Sequence, residues 1–262
     1  MPFRPLTAIV ALLLSLPVNA DNPISVTIYG DEAYPPYSFV EAGEFKGIYV
    51  DYLRKLSQRV QGYRINIKPI PWKRGLAMLK TGEAFALFPP YQFADRDYIH
   101  PYSLPLNKES IVITCSSTVM THPRREFQSD FSDVTLGING GYLLSESLQA
   151  AIKLKQIHID EARGNEINIR KLAAGRIGCY VNDRLSIHYA LSKLKADPRA
   201  DATIKELKLI DTVEIASQTA YIAYSAVTNL PYKADFIDKL NTAIRESEKQ
   251  NELKALIDTY TR

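Results

Sequence analysis

Arg96 is the side chain best suited to grip a small anion, because its guanidinium presents five donors in a fixed planar fork that matches a carboxylate bidentately. Its neighbours Asp95 and Asp97 offer the alternative of a solvated surface pair. Aromatic rings stand beside prolines at Tyr34-Pro35-Pro36-Tyr37, Pro71-Trp72-Lys73-Arg74 and Phe88-Pro89-Pro90-Tyr91. Proline stiffens the backbone, so Tyr34 would form either a fixed wall against the apolar part of a ligand or ordinary core packing. Trp72 opens a helix and has the same two readings. Asn139-Gly140-Gly141, followed by Tyr142, lies between a strand and a helix, where free backbone N–H groups favour an anion, although a plain turn explains the glycines as well. Asp183, with Asn182 before it, opens a helix and reads as its N-cap.

The rest of the composition narrows the chemistry. The 262 residues are 46% apolar and 23% charged, enough for a real core in one large domain or two small ones. A net charge of +3 without a basic block argues against a nucleic-acid binder. Two cysteines exclude a disulfide scaffold and a multi-cysteine zinc site, and His100, His122, His158 and His188 are too far apart for a metal motif, so neither a metal nor a cofactor is expected. The sequence carries no Gly-x-Ser-x-Gly, His-Glu-x-x-His or phosphate-loop string and no Cys-His pairing.

The elements that would hold these residues alternate strand and helix. Arg4, an apolar run of about 11 residues from Leu6 to Leu16 and the small residues Val18 and Ala20 read as a secretory signal, cleaved after Ala20. Ile24, Val26 and Ile28 then alternate as a strand, and Tyr49, Leu53, Leu56 and Val60 recur at helical spacing. Ile65 and Ile67, a helix from Trp72 to Leu79 stopped at Gly82, and Ala86-Leu87-Phe88 complete a βαβαβ pattern. The pattern resumes with Ile111 to Ile113, Leu136 to Ile138, a helix near 145–154, Ile157 to Ile159, a helix through Leu172 stopped at Gly175, and Cys179 to Val181. Such alternation predicts mostly parallel sheets flanked by helices. The segments 76–88 and 169–181 share a helix, a Gly stop and a buried strand at equal spacing, which implies two similar lobes. Tyr221 to Tyr224 and two amphipathic C-terminal helices would pack back on the first lobe. Cys115 and Cys179 fall in strands of one lobe, and spacing alone leaves open whether they bond.

Tyr34-Pro35-Pro36-Tyr37, the Gly47-Ile48-Tyr49-Val50-Asp51 helix start, Leu79-x-x-Gly82, Arg96 ahead of Tyr102-Ser103, Gly137-Ile138-Asn139-Gly140-Gly141-Tyr142 and Leu172 to Asp183 together resemble the family 3 periplasmic solute-binding proteins, the amino-acid-type receptors of ABC importers. The resemblance spans essentially the whole chain after the signal segment. It implies a two-lobed α/β fold of type II, with residues 21–108 and 219–262 in the first lobe, 109–218 in the second, and two crossings near Leu106 to Ser110 and Val213 to Thr219. It further implies a ligand cleft in which Arg96 meets a carboxylate and Asp183 an ammonium, with Tyr34, Trp72, Tyr91, Gly141 and Tyr142 completing the site. Phe88 to Phe93 and Tyr142 stand where typical members carry small residues, so the cleft should be richer in aromatics, suited to stacking or cation–π contact. The implied function is a monomeric periplasmic receptor that closes on a small polar ligand and presents it to a membrane ABC permease. A sensor module for a membrane receptor and a dehydratase-like enzyme on the same fold are the alternatives.

Overall fold

The computed structural model describes residues 22–261, and the signal segment expected over residues 1–20 lies outside them. The chain begins with β1 (Ile24–Asp31), the short strands β2 (Ala33–Tyr34), β3 (Ser38–Glu41) and β4 (Glu44–Lys46), α1 (Ile48–Ser57), β5 (Tyr63–Ile70), α2 (Trp72–Thr81), β6 (Ala86–Phe88) and β7 (Ile99–Tyr102). It continues with β8 (Asn107–Ser116), β9 (Thr135–Asn139), α3 (Glu146–Lys153), β10 (His158–Ala162), α4 (Gly164–Ala173), β11 (Cys179–Asp183), α5 (Arg184–Ala196), α6 (Ala202–Glu206) and β12 (Leu209–Ala220). It closes with β13 (Ala223–Ser225), α7 (Lys233–Lys249) and α8 (Glu252–Tyr260).

Two five-stranded sheets result, ordered β5-β1-β6-β13-β7 and β10-β9-β11-β8-β12. In the first, β5, β1 and β6 run parallel and β13 is antiparallel to both of its neighbours. In the second, β10, β9 and β11 run parallel and β8 is antiparallel to both of its neighbours. The two orders therefore correspond strand for strand. The repeated sequence segments occupy the same place in each: α2 leads into β6 and α4 into β11, each the middle strand of its sheet. A two-lobed α/β architecture with helices on the sheets follows.

The chain passes from Tyr102 in the first sheet to Asn107 in the second and returns between Ala220 and Ala223, so both passages lie a few residues to the first-lobe side of the crossings expected from sequence. The two passages pair with each other, Ser103 N donating to Ile222 O and Leu106 N to Ala220 O, both at 2.8 Å. The C-terminal helices pack on α1, where the Tyr260 hydroxyl donates to Asp51 at 2.6 Å and accepts from Gly47 N at 3.1 Å. The antiparallel register sets Cys115 of β8 opposite Cys179 of β11, and the two are joined in a disulfide. The periodicity reading lacks the small β2-β3-β4 sheet, β7 and α6, since elements of two to five residues are too short to show a period.

Candidate functional site

The carboxyl ends of parallel strands are where open α/β sheets present side chains to ligand, and Asp31 stands there, at the end of β1. It is buried, with Oδ1 accepting from Ala33 N at 2.9 Å and Oδ2 accepting from the Tyr142 hydroxyl of the other lobe. Burial pushes its carboxyl up to about 6, against the pull of the Tyr142 and Ala33 hydrogen bonds and the Arg163 charge.

Arg96, on the loop leading into β7, is 5% exposed, which excludes the solvated pair with Asp95 or Asp97. Its Nη2 donates to the Gly141 carbonyl at 3.0 Å, and its guanidinium lies 5.7 Å from the centre of the Trp72 ring, a cation–π contact. Burial lowers its pKa, yet a guanidinium stays charged. Trp72 follows Pro71 at the start of α2 and sends its Nε1–H to the same Gly141 carbonyl at 3.2 Å. Gly141 has φ +82, a left-handed conformation that costs glycine no Cβ clash. Tyr142 stands edge-on to Tyr34 at 5.5 Å and to Trp72 at 5.6 Å.

A cavity of about 20 Å³ lies among Tyr34, Trp72, Tyr91, Arg96, Tyr142 and Asp31, room for roughly one water. A larger one of about 310 Å³ shares Asp31, Trp72 and Tyr142 and runs outward between the lobes past Lys73, Asn139 and Glu161. At its mouth two ion pairs cross the cleft, Lys73–Glu161 at 2.7 Å and Arg163–Glu32. Gly164, with φ +77, lets α4 approach the opposite lobe; a Cβ there would come within 2.9 Å of the Ala33 Cβ.

Six of the seven residues singled out from sequence thus meet at one place. Asp183 does not: it lines neither cavity. Its Oδ1 accepts from Ser186 N at 2.9 Å as the N-cap of α5 and from the Tyr37 hydroxyl at 3.1 Å, and burial raises its carboxyl to about 6. Asp31 takes the acidic position in the cavity beside Arg96. Sequence reasoning missed it, although the acidic pair Asp31-Glu32 at the end of the first parallel strand was the available signal.

It also missed Glu109 of β8, 1% exposed, which accepts hydrogen bonds from the hydroxyls of Tyr34, Tyr49 and Tyr91 behind the cavity. Burial, and next the Asp183 charge, push the Glu109 carboxyl up to about 8. Among the described residues there is no cluster of three or more His, Cys, Asp or Glu able to hold a metal, and no helix is long and apolar enough to cross a membrane.

Two sheets of matching order joined by paired passages, with a polar cleft between them, define a two-lobed ligand-binding protein. The chain belongs to the bacterial extracellular solute-binding proteins, family 3, which it matches over residues 26–262. No curated protein matches it. Among solved structures, a histidine kinase sensor domain with similarity to periplasmic binding proteins is 17% identical, with a TM-score of 0.75 over 92% of this chain and 97% of that one. A mutant of the ArgBP protein from T. maritima is 17% identical, with a TM-score of 0.70 over 90% and 94%. An ancestral amino-acid-binding protein described as a precursor of cyclohexadienyl dehydratase is 17% identical, with a TM-score of 0.69 over 91% and 95%. At these identities the likeness is one of fold.

Proposed function

We propose that this protein is a periplasmic receptor that closes its lobes on a small ligand bearing both a carboxylate and an amine, and presents the closed form to a membrane importer. The observation that carries the reading is the pairing of two buried opposite charges, Arg96 and Asp31, on the walls of one small cavity, neither in an ion pair among the described residues. A buried charge without a counter-charge is costly, and a zwitterion would supply both partners at once. Tyr34, Trp72, Tyr91 and Tyr142 would enclose its apolar part, with Gly141 beside the carboxylate pole. Asp31 replaces Asp183 as the proposed partner of the amine, because the Asp183 carboxylate is committed to a helix cap. The tyrosine hydroxyls of the set donate to Asp31 and Glu109, and the role proposed for them is binding without chemistry.

The amino-acid-binding and importer proteins among the structural relatives support delivery to an ABC permease. The likeness to a sensor domain keeps open a second reading, in which the closed form signals to a membrane kinase. A thermal-shift screen of amino acids, amines, di-acids and aromatic acids tests the ligand class, since a ligand bound only by the native state raises its melting temperature. A zwitterionic hit should bind Arg96→Lys and Asp31→Asn roughly ten- to a hundredfold more weakly, the worth of one charge-assisted bond. Should Asp183→Asn be the variant that loses affinity while Asp31→Asn retains it, the amine partner is misassigned. A screen in which only ligands lacking an amine stabilise the protein would sink the zwitterion reading.

A further inference from the structure

We propose that the loop Gly140-Gly141-Tyr142 is a tethered competitor for the ligand, and that Tyr142 thereby sets which ligands are admitted. The inference rests on the cleft reading above and adds the regulation of that site.

Both charged poles of the cavity are already engaged by two consecutive residues of the opposite lobe. The Gly141 carbonyl accepts from Arg96 Nη2 at 3.0 Å and from Trp72 Nε1 at 3.2 Å, which is what a ligand carboxylate oxygen would do. The Tyr142 hydroxyl donates to the buried Asp31 carboxylate, which is what a ligand ammonium would do. Between these contacts the Tyr142 ring lies edge-on to Tyr34 and Trp72 and takes the place of the ligand's apolar middle. The loop therefore reproduces an acceptor, a donor and an apolar body in one piece, and leaves room for roughly one water on its Arg96 side, the cavity of about 310 Å³ lying on its outer side.

The loop is also held in shape from behind. Gly140 N donates to Ala162 O at 2.9 Å, Tyr142 N donates to Asn139 O at 3.0 Å, and Asn139 Nδ2 donates to Asn165 at 3.0 Å. A loop so held keeps Gly141 and Tyr142 in register with Arg96 and Asp31, so a ligand meets them as a unit.

Binding is then an exchange. A ligand with one pole displaces both loop contacts and restores only one, leaving a buried charge poorly partnered; a ligand with two poles restores both. The difference is one buried charge-assisted bond, roughly ten- to a hundredfold in affinity. Tyr142 works as the specificity-determining residue by raising the threshold that any ligand must pass.

The decisive test reads closure with no ligand added, so it stands apart from the success of any ligand screen. Trp72 is the single tryptophan of the chain and sits in the contact, so its acrylamide quenching reports the loop directly. Protein unfolded in guanidinium chloride with the disulfide intact, dialysed and refolded should show a shielded Trp72 and a compact scattering profile. Tyr142→Phe keeps the ring and loses the hydroxyl; it should shift the open-to-closed ratio roughly ten- to a hundredfold toward open, seen as stronger quenching and a larger radius of gyration. Asp31→Asn keeps an acceptor without the charge and should move both readouts the same way by less; it also provides the reading should Tyr142→Phe fail to fold. A folded Tyr142→Phe with the quenching and radius of wild type, or a wild type whose Trp72 is already fully open to quencher, overturns the proposal. Hits in a zwitterion screen alongside such unchanged readouts would reject the competitor and leave the ligand reading intact.

Discussion

Two buried polar clusters lie within reach of the cleft, and they are built from different chemistry. At the crossings, Glu109 Oε2 accepts from Tyr34 and Tyr91 and Oε1 accepts from Tyr49, with Tyr37 stacked on Tyr49 at 4.8 Å and reaching Asp183. Inside the second lobe, behind the cleft loops, the cluster is neutral. Asn165 Oδ1 accepts from Asn139 Nδ2 and Asn182 Nδ2 at 3.0 Å, the Tyr180 hydroxyl lies 2.8 Å from it, and Asn165 Nδ2 donates across the cleft to Pro35 O at 3.3 Å. A buried carboxylate can shed its desolvation cost by taking a proton; a buried amide has no such escape and must keep its partners. The first cluster therefore responds to pH, and the second responds only to mutation.

The largest expected effect comes from the bond that links the strands carrying both clusters. Cys115 of β8 and Cys179 of β11 close a 64-residue span, for which the chain-entropy account gives about 4 kcal/mol. The double substitution to serine should lower the denaturation midpoint accordingly, and an unchanged midpoint would show the span to be ordered in the unfolded chain already. Asn165→Ala comes next. It strips the acceptor from Asn139 Nδ2 and removes one of the two partners of Asn182 Nδ2, which keeps the Tyr180 hydroxyl, at a cost of about 3 kcal/mol, or on the order of 10 °C in melting temperature. A loss within 2 °C would mean that water replaces the amide, and the claimed contrast between the clusters would fall.

The pH response is the third effect. Glu109 is raised from 4.5 to about 8, and Asp31 and Asp183 from 3.8 to about 6, so in each case the folded protein holds its proton more firmly than the unfolded chain. Their contribution is fully present below the unfolded values and is lost as pH rises through the folded ones. Melting temperature should therefore fall as pH is raised from 5 to 9, and the part of the fall above pH 7 belongs to Glu109. Glu109→Gln keeps an acceptor for the tyrosines and removes the titration, so its profile should flatten above pH 7. Parallel profiles for the two proteins would assign that fall elsewhere.

How much of this was legible in sequence follows the same divide between local and distant causes. Gly82 caps its helix and Gly175 stands just past the Ala174 cap of its own, each with φ above +60, because a left-handed residue at a helix end is a local property. The matching helix–Gly–strand segments announced the repeated strand order. Arg96 could be picked out by its donor fork, and Trp72 and Tyr142 because a proline and two glycines stand next to them in the chain. The Glu109 cluster could not be seen, since its three tyrosines lie 75, 60 and 18 residues away from it along the chain and nothing local links them. Asp183 shows the opposite case: its helix cap was legible and is present, while the ligand role came only from the family resemblance. The disulfide waited on the β8/β11 register, which the spacing of two cysteines does not determine.

The smallest effect is expected at the mouth of the cleft, where the ion pairs look most like a latch. Lys73 and Glu161 lie 2.7 Å apart across the lobes, but their side chains are 66% and 51% exposed. Water screens such a pair, and ordering two long side chains offsets part of the attraction, so its worth is about 0.5 kcal/mol or less. Because the two residues belong to different lobes, that contribution falls on closure and leaves folding almost untouched. Lys73→Ala should thus leave the melting temperature where it is and change the open-to-closed ratio by roughly twofold or less. The change should vanish near 1 M salt, where the screening length is about 3 Å. Acrylamide quenching of Trp72 at low and high salt measures this in the same assay that tests Tyr142→Phe. A tenfold opening by Lys73→Ala, persisting in salt, would make the exposed rim rather than the buried Gly141 and Tyr142 contacts the seat of closure.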